Sequence, residues 1–245
     1  MDKQTYWRER AATYDALAWV RDDHALGVLV DTMAFEPHDV VLDAGTGLGA
    51  VAAAISHLVA GVVGVDASRS MLERARKVPN VDYVCWDILN PLFHEGVFDK
   101  VTMRQVLHHI HPEDMGEAIA ILYGVLKPGG RIGIVEPVCA LEEVEEEYAT
   151  IMALKDNRTV LSVPSVVALL SAAGFGNLRS VPFSITGFDV RNWLSNNALP
   201  QEIQDRLFEL HVTASPRFKE AYNMRITNGN CFIDTANAII TGVRP

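Results

Sequence analysis

The chain has 245 residues, of which 49% are hydrophobic and 21% are charged. This composition is typical of a globular protein, and the length suits one large domain. A formal net charge of −10 at pH 7 argues against partners such as long nucleic acids, which attract basic surfaces. The sequence begins without an apolar signal segment, and its three cysteines lack the spacing of a zinc site. We therefore expect a cytoplasmic protein without a membrane span or a bound metal.

Residues 4–34 are predicted to form two helical pieces ahead of the first strand. The first piece carries several aromatic residues, which include Tyr6, Trp7, Tyr14 and Trp19. Two interpretations stay open for them: packing on the body of the domain, or a flap over a ligand pocket.

A strand, a glycine-rich turn and a helix are predicted within residues 40–58. Residues 40–42 are an apolar run typical of a buried strand, and Gly45, Gly47 and Gly49 follow it. Glycines allow a tight turn and a close approach of a ligand to the backbone, and the start of the helix offers free N–H groups. The turn is therefore a candidate ligand-binding site.

A second predicted strand, residues 61–66, ends in Asp66, about twenty residues after the glycines. A carboxylate at this place accepts hydrogen bonds from the two hydroxyls of a ribose. The pattern predicts a nucleoside ligand without specifying which one. The spacing Gly45-x-Gly47-x-x-Ala50 also fits the dinucleotide fingerprint, so an NAD-linked oxidoreductase stays open.

Three further strands complete an alternation of strands and helices up to residue 137. They span residues 81–86, 98–103 and 131–136, and the polar residues at their ends are Asp87, Arg104 and Glu136. Helices are predicted at residues 50–58, 71–77 and 112–126. Such alternation implies a parallel sheet that is covered by helices on both faces, with ligands at the carboxyl ends of the strands. Asp43 and Asp66 fall at the same edge, and this convergence is the strongest sign of a ligand site.

The pattern changes after residue 137. The predicted elements are an acidic helix over 142–147 with a solvated face, a helix over 163–174, a strand near 178–185, helices over 189–196, 200–212 and 216–223, and a last strand within 231–245. Residues 187–230 lack strand signals and interrupt the alternation. Long insertions at a ligand-binding edge are often lids, so this segment is predicted to be one.

Four motifs occur in a fixed order between residues 42 and 130. They are Leu42-Asp43-Ala44-Gly45-Thr46-Gly47-Leu48-Gly49, Val63-Gly64-Val65-Asp66 with Met71-Leu72, Phe98-Asp99 followed by Leu107-His108-His109, and Leu126-Lys127-Pro128-Gly129-Gly130. Together they resemble the class I S-adenosylmethionine-dependent methyltransferases, and in particular the small-molecule branch that includes the ubiquinone and menaquinone biosynthesis enzymes. The resemblance is close over residues 39–137 and loose at the ends. It disfavours the NAD alternative, because those enzymes lack the last of the four motifs.

The resemblance implies an α/β fold: a Rossmann-like, doubly wound sheet of seven strands, mostly parallel with an antiparallel last strand, plus a helical lid. The single methyltransferase domain would comprise an N-terminal helical flap (1–38), a cofactor-binding core (39–186), a helical lid insertion (187–230) and the last strand (231–245). One departure concerns residues 104–109, since the quinone enzymes have a Gly-x-Arg-Asn-type segment after their fourth strand. That departure argues against a quinone acceptor.

The cofactor implied by the resemblance is S-adenosylmethionine, with S-adenosylhomocysteine as its product. Asp43 and the backbone near Gly45 and Gly47 would hold its amino-acid part. Asp66 would accept from the ribose hydroxyls, and Asp87 from the adenine amino group. The full implied set is Asp43, Gly45, Thr46, Gly47, Asp66, Ala67, Met71, Asp87, Ile88 and Arg104. The alternatives are a turn role for Asp87 and a surface or salt-bridge role for Arg104.

Methyl transfer is an in-line displacement at a positively charged sulfonium, so the enzyme must mainly align the acceptor and exclude water. A general base is needed only if the acceptor carries a proton at neutral pH. His109 lies just past the fourth strand and is the candidate acceptor-side residue or base; the alternative is that it packs against the domain or caps the next helix. Tyr14, Trp193 and His211 are candidates for the acceptor pocket.

Several points stay open in the sequence. It does not identify the small-molecule acceptor, and carbon, oxygen, nitrogen or sulfur could each receive the methyl group. The oligomeric state is also open. A non-catalytic nucleoside-binding or regulatory protein on the same fold is the further alternative to an enzyme.

Overall fold

A computed structural model describes residues 3–17, 20, 23–156 and 158–245. Its helices are α1 (Lys3–Ala11), α2 (Asp23–Met33), α3 (Ala50–Ile55), α4 (Arg69–Glu73), α5 (Pro112–Val125), α6 (Glu145–Asp156), α7 (Val163–Ala172), α8 (Val190–Ser195), α9 (Gln201–Val212) and α10 (Pro216–Ala221). Its strands are β1 (Val40–Ala44), β2 (Gly61–Asp66), β3 (Val81–Cys85), β4 (Phe98–Arg104), β5 (Leu126–Pro137), β6 (Gly176–Asp189), β7 (Arg225–Thr227) and β8 (Asn230–Val243). Trp19, one of the aromatic residues of the predicted flap, lies outside the described residues.

The strands form one sheet in the order β3-β2-β1-β4-β5-β8-β6, and the short β7 pairs with β8. Strands β1 to β5 run parallel to one another, whereas β8 runs antiparallel to both β5 and β6. The predicted α/β fold, a mostly parallel sheet with an antiparallel last strand, is confirmed. The strand order reverses between β1 and β4, and open α/β sheets bind ligands at such a switch point.

The sheet contains one strand more than predicted, because residues 225–227 form β7 within the segment that lacks strand signals. β7 pairs with the start of β8 across the turn Asn228-Gly229, whose residues have φ angles of 52° and 73°. Two consecutive positive φ angles are the geometry of tight hairpin turns, which favour Asn-Gly. In addition, β6 extends to Asp189 and β8 begins at Asn230. The helical part of the insertion is therefore shorter than the predicted range of 187–230.

The fifth strand also begins earlier than predicted, at Leu126 instead of residue 131. Phe98 pairs with Leu126, and the register shifts before Lys100 pairs with Arg131. The Lys-Pro-Gly-Gly segment thus forms an irregular start of β5 rather than a free turn. Helix α5 ends at Val125, directly before it.

Side-chain caps fix where two helices near the predicted site begin. The hydroxyl of Ser68 accepts a hydrogen bond from the Met71 amide at 3.4 Å at the start of α4. Asp189 caps α8 by accepting from the Asn192 amide at 2.9 Å. Such caps satisfy N–H groups that the first helical turn leaves unpaired.

The acidic run matches its prediction except at its end. Glu142, Glu143, Glu145 and Glu146 are exposed to solvent. Glu147 instead accepts hydrogen bonds from the amide and the hydroxyl of Ser215 at 2.8 Å and 2.7 Å. This contact joins α6 to the start of α10, so one carboxylate of the run anchors the insertion.

Apolar side chains are buried on both faces of the sheet and beneath the insertion. Helices α5 and α7 cover one face, and α2 and α3 cover the other. The insertion has its own cluster, in which Trp193 and Phe218 pack with Ile151 of α6. Burial of such side chains contributes about 1.5–3 kcal/mol each, so the insertion is packed firmly against α6. No helix in the described ranges is long and apolar enough to cross a membrane.

Candidate functional site

The turn after β1 requires glycine at two positions. Gly45 and Gly49 have φ angles of 72° and 75°, in the left-handed region that other residues rarely adopt. A Cβ at Gly45 would overlap the side chain of Val106, and one at Gly49 would overlap the hydroxyl of Tyr83. The turn is therefore packed tightly against the segments beside it, which fixes its backbone at the edge of the sheet.

Asp43 is buried at the base of this turn. Its two carboxylate oxygens accept hydrogen bonds from the hydroxyls of Thr46 at 2.6 Å and Thr102 at 2.8 Å. Burial raises the pKa of the Asp43 carboxyl, and the two hydroxyls oppose that rise. Asp43 thus holds the turn in place through Thr46, and both residues line a small cavity with Gly47.

Asp66 joins the glycine turn to the second strand. Its Oδ2 accepts a hydrogen bond from the amide of Gly47 at 2.9 Å, and its Oδ1 accepts from the amide of Ser68 at 2.8 Å. Burial raises the pKa of Asp66, and the two amides oppose that rise. A carboxylate oxygen can accept two hydrogen bonds, so each oxygen of Asp66 has capacity for one more donor.

A cavity opens at the carboxyl ends of β1, β2 and β4, and we call it the turn cavity. Eight of the ten residues implied for cofactor binding line it: Gly45, Gly47, Asp66, Ala67, Met71, Asp87, Ile88 and Arg104. The other two, Asp43 and Thr46, line the small cavity beside it, which shares Gly45, Gly47 and Arg104 with the turn cavity. The structure therefore brings all ten predicted residues to one edge of the sheet.

Two further features of the turn cavity concern its rim. Asp87 is exposed, and its Oδ1 accepts a hydrogen bond from the Leu89 amide at 3.1 Å. It therefore closes a local turn as well as lining the cavity. Trp7 and Tyr14 also line the cavity, so the N-terminal segment reaches the predicted ligand site.

A second cavity lies between the sheet and the insertion, and we call it the lid cavity. It encloses about 810 Å³, part of it open to solvent. The four residues predicted on the acceptor side, Tyr14, His109, Trp193 and His211, all line it, and further aromatic residues in its wall are Tyr148, Phe188, Phe218 and Tyr222. The lid cavity shares Tyr14, His109 and Gln105 with the turn cavity. The two cavities therefore adjoin at these three residues.

His108 and His109 occupy a single helical turn directly after β4. The Nδ1 atom of His108 is hydrogen-bonded to the buried carboxylate of Glu136, which also accepts from two backbone amides at 2.9 Å and 2.7 Å. Burial lowers the pKa of His108 to about 3. Its imidazole is therefore neutral and donates the Nδ1 proton to Glu136. His108 thus has a structural role.

His109 has contacts on both sides of its ring. The ring lies edge-on to Trp7 with centroids 4.9 Å apart, and its centroid is 4.1 Å from that of His108. Burial and the cation of Arg158 lower the pKa of His109 well below its usual value. The side chain is therefore neutral and a weak base, which favours contact with the acceptor over proton abstraction. Within the described part of the chain, no group of three or more His, Cys, Asp or Glu side chains could hold a metal ion.

Trp193 and His211 belong to the packed cluster of the insertion. The Nδ1 of His211 donates to the carbonyl of Leu207 at 2.7 Å, and burial lowers the pKa of this histidine. The ring of Trp193 lies 6.0 Å from that of His211 and 5.8 Å from that of Phe188. Both residues predicted in the lid thus combine core packing with a place in the cavity wall.

The sequence analysis missed a group of buried charges beside the lid cavity. Arg158 donates to both oxygens of Asp156, from Nε at 2.8 Å and from Nη2 at 2.6 Å. Lys155 donates to the same carboxylate at 2.5 Å, and Tyr6 donates to it at 3.1 Å. Arg10 donates to the Tyr6 hydroxyl at 2.7 Å. No local pattern could have connected Arg10 with residues 155–158, because these segments meet only in the folded chain.

Gln105 is a second residue that the sequence analysis did not single out. It lines both cavities and has a φ angle of 59°. Its amide donates to the carbonyl of Val135 at 2.8 Å, which holds it at the end of β4. A left-handed backbone at a residue other than glycine is uncommon, and such residues cluster at functional sites. The residue type alone does not predict this conformation.

Residues 41–130 match a family model described as a methyltransferase domain. YcgJ of Bacillus subtilis, which is named a methyltransferase, is 29% identical over 154 residues, which are 60% of this chain and 60% of YcgJ. The ubiquinone/menaquinone biosynthesis C-methyltransferase UbiE of Desulfotalea psychrophila is 38% identical over 96 residues, which are 37% of this chain and 38% of UbiE. The chain thus spans between 38% and 60% of the length of these two relatives.

Solved structures are similar over most of the chain. The crystal structure of YcgJ has a TM-score of 0.79 at 23% identity, and the match covers 91% of this chain and 98% of YcgJ. Phosphoethanolamine N-methyltransferase 2 of Haemonchus contortus, solved with phosphomonomethylethanolamine and S-adenosylhomocysteine, has a TM-score of 0.61 at 21% identity, covering 91% of this chain and 53% of that one. At these identities the likeness shows the shared fold. Together with the matched domain, it confirms the resemblance to class I S-adenosylmethionine-dependent methyltransferases that the four motifs carry.

Proposed function

We propose that the protein transfers a methyl group from S-adenosylmethionine to a small-molecule acceptor. The observation that carries the proposal is the pair of adjoining cavities. The turn cavity is lined by residues suited to an adenosine and an amino acid, and the lid cavity has six Tyr, Trp and Phe side chains in its wall. A donor and an acceptor placed in the two cavities would meet near Tyr14, Gln105 and His109.

The residues of the turn cavity fit the cofactor. Asp66 would accept from the two ribose hydroxyls with its remaining lone pairs, since each of its oxygens receives one backbone amide. Asp87 would accept from the adenine amino group, with the amide of Ile88 donating to a ring nitrogen and Met71 packing on the ring. Bound S-adenosylmethionine supplies a methyl group on a positively charged sulfur.

The small cavity beside it fits the amino-acid part of the cofactor. Asp43, Thr46 and Arg104 bring both signs of charge and a hydroxyl to this cavity. The left-handed turn at Gly45 allows a ligand to approach the backbone closely, because no Cβ is in the way. These residues would orient the cofactor toward the lid cavity.

The chain's own residues on the acceptor side would mainly align the acceptor and exclude water. Aromatic side chains from α6, α8 and α10 line part of this pocket and would help to exclude water from displacement at the charged sulfur. His109 and His211 have lowered pKa values, and no carboxylate of the described residues lines this cavity. The acceptor is therefore expected to react without a strong general base. We also assign the role of a flap to residues 1–38 and that of a lid to residues 187–230, because Tyr14 and Trp193 line the lid cavity.

Thermal unfolding with added nucleosides tests the cofactor assignment. A ligand that binds only the folded state raises its apparent stability by about 2.7 kcal/mol at a concentration of 100 Kd. S-adenosylhomocysteine should raise the melting temperature, whereas NAD should not. Stabilisation by NAD and not by S-adenosylhomocysteine would refute the proposal. Turnover with a methyl-labelled donor across phenols, thiols, amines and carboxylates then separates an enzyme from a non-catalytic binding protein.

A further inference from the structure

The buried charges beside the lid cavity do not balance. Lys155 and Arg158 both bind the carboxylate of Asp156, and their side chains are 0% and 10% exposed. Arg158 holds the pKa of Asp156 far below its usual range, so this carboxylate is ionised. Burial and the neighbouring cation of Arg158 lower the pKa of Lys155 well below its usual value, so the imbalance does not rest on Lys155. Arg158 balances Asp156, and Arg10 is the remaining cation.

Arg10 is a cation without a carboxylate partner among the described residues. It is only 2% exposed, and its Nε has no hydrogen-bond partner. Its guanidinium carbon lies 5.3 Å, 5.0 Å and 5.2 Å from the ring centroids of Tyr6, Trp7 and Tyr14. Aromatic faces offset only part of the cost of removing a cation from water, so an anion is the missing partner.

Both guanidinium groups lie on the wall of the lid cavity. Arg10 and Arg158 line it together with His109, and no Asp or Glu among the described residues does so. Lys155 lines a neighbouring cavity together with Asp156 and Arg158. The two arginines are joined to the same oxygen, Asp156 Oδ2, because Arg158 donates to it directly and Arg10 reaches it through the Tyr6 hydroxyl. Two cations therefore lie in the wall of a pocket that also contains six Tyr, Trp and Phe side chains.

We propose that Arg10 and Arg158 bind an anionic group, a carboxylate or a phosphate, on the methyl acceptor. The inference rests on the proposed methyl transfer and specifies its substrate class: a compound with a flat, largely apolar body and one anionic substituent. The guanidinium of Arg10, whose Nε has no partner, matches both kinds of anion, since the parallel N–H groups of an arginine bind two oxygens at once. A cationic amine without such a group would be repelled by the same pair.

Binding of matched aromatic compounds to the wild-type protein tests this inference. The probes are benzoate, benzamide, phenyl phosphate and benzyl alcohol, titrated calorimetrically with S-adenosylhomocysteine present at saturation. We expect the carboxylate or the phosphate to bind at least about tenfold more tightly than its neutral counterpart, which corresponds to about 1.4 kcal/mol. The two anions distinguish a carboxylate acceptor from a phosphate acceptor. Equal binding of benzoate and benzamide, together with no preference for phenyl phosphate, would overturn the inference.

A pair of variants on α1 locates the effect. Arg10→Gln removes the buried cation, and Arg8→Gln removes an exposed cation from the same helix. Arg10→Gln should abolish the preference for the anion. It should change the affinity for S-adenosylhomocysteine by less than about threefold, which is below the tenfold change that about 1.4 kcal/mol represents. Arg8→Gln should change neither quantity. An anion preference that survives Arg10→Gln would place the anion elsewhere. If Arg10→Gln does not fold, the wild-type panel still decides.

The two proposals fail in different ways. Absence of S-adenosylhomocysteine binding would remove the methyl-transfer function, and the anion preference could still be measured by thermal shift without the cofactor. Normal binding of S-adenosylhomocysteine without any anion preference would leave methyl transfer standing and remove only the anionic acceptor.

Discussion

Replacement of Asp66 by alanine tests the centre of the turn cavity. The carboxylate accepts from the amides of Gly47 and Ser68, so the change leaves two backbone donors without their partner. Each such loss costs about 1–3 kcal/mol when the donor cannot reach water. Because Gly47 lines the cavity, water can replace part of that bond, and we expect a total loss of unfolding free energy of about 1–3 kcal/mol.

The effect on the cofactor should come on top of that loss. Hydrogen bonds to a charged group contribute about 1.5–3 kcal/mol, so affinity for S-adenosylhomocysteine should fall about 10- to 150-fold. At a ligand concentration of 100 times the wild-type Kd, the wild type gains about 2.7 kcal/mol of apparent stability. A variant with a 100-fold weaker Kd gains only about 0.4 kcal/mol under the same conditions.

Calorimetric titration and urea unfolding with and without ligand measure both quantities. Asp82→Ala is the matched control, because Asp82 is an exposed carboxylate on the adjacent strand β3. It should leave affinity and stability close to the wild-type values. If Asp66→Ala folds and binds S-adenosylhomocysteine with wild-type affinity, Asp66 does not contact the cofactor and the reasoning is refuted.

Three further predictions concern the lid, the glycine turn and the pH dependence of stability. Trp193→Phe should change acceptor turnover at least about threefold in kinetic assays while affinity for S-adenosylhomocysteine stays within about threefold; the reverse pattern would assign the lid to the cofactor. Gly45→Ala should destabilise the fold by about 1–3 kcal/mol and weaken cofactor binding, since it adds a side chain at positive φ. The control Gly116→Ala in α5 should stabilise the fold by up to about 1 kcal/mol. Equal changes of the unfolding free energy in urea would contradict this prediction. His211 has a lowered pKa when folded, so the unfolded chain binds more protons and stability is lost as pH falls below about 6.5. Measured by urea unfolding, the loss of unfolding free energy between about pH 7 and pH 5 should be smaller in His211→Gln than in the wild type, and an equal loss would contradict this prediction.

The sheet and its functional edge follow from local sequence patterns. A polar residue lies at or near the carboxyl end of each of the first five strands, and parallel strands with helices between them bring these ends to one edge. That is why Asp43, Asp66, Asp87 and Arg104 could be grouped before any contact was known. The same argument placed the glycine turn beside them.

The hairpin of β7 and β8 has a local sequence signal, but the helical pattern before it is stronger. Asn228-Gly229 is a strong hairpin dipeptide, yet the helical pattern on its N-terminal side dominated the interpretation of the insertion. β7 is only three residues long, so its apolar alternation is too short to stand out. A search for turn dipeptides would have found it.

Contacts between distant segments explain what the sequence could not provide. Tyr6 and Asp156 are 150 positions apart, and their hydrogen bond exists only because α1 packs beside the end of α6. The low pKa of His109 likewise depends on its burial and on Arg158, neither of which its neighbours in the sequence reveal. Candidate positions were therefore predictable, whereas their protonation states and charged partners were not.

A crystal structure of the protein with S-adenosylhomocysteine would show whether the turn cavity holds the methyl donor. We expect that the ribose contacts Asp66, the adenine lies beside Asp87 and Ile88, and the sulfur faces the junction with the lid cavity near His109. Binding in any other part of the molecule, or a ligand whose sulfur faces away from the lid cavity, would contradict this expectation.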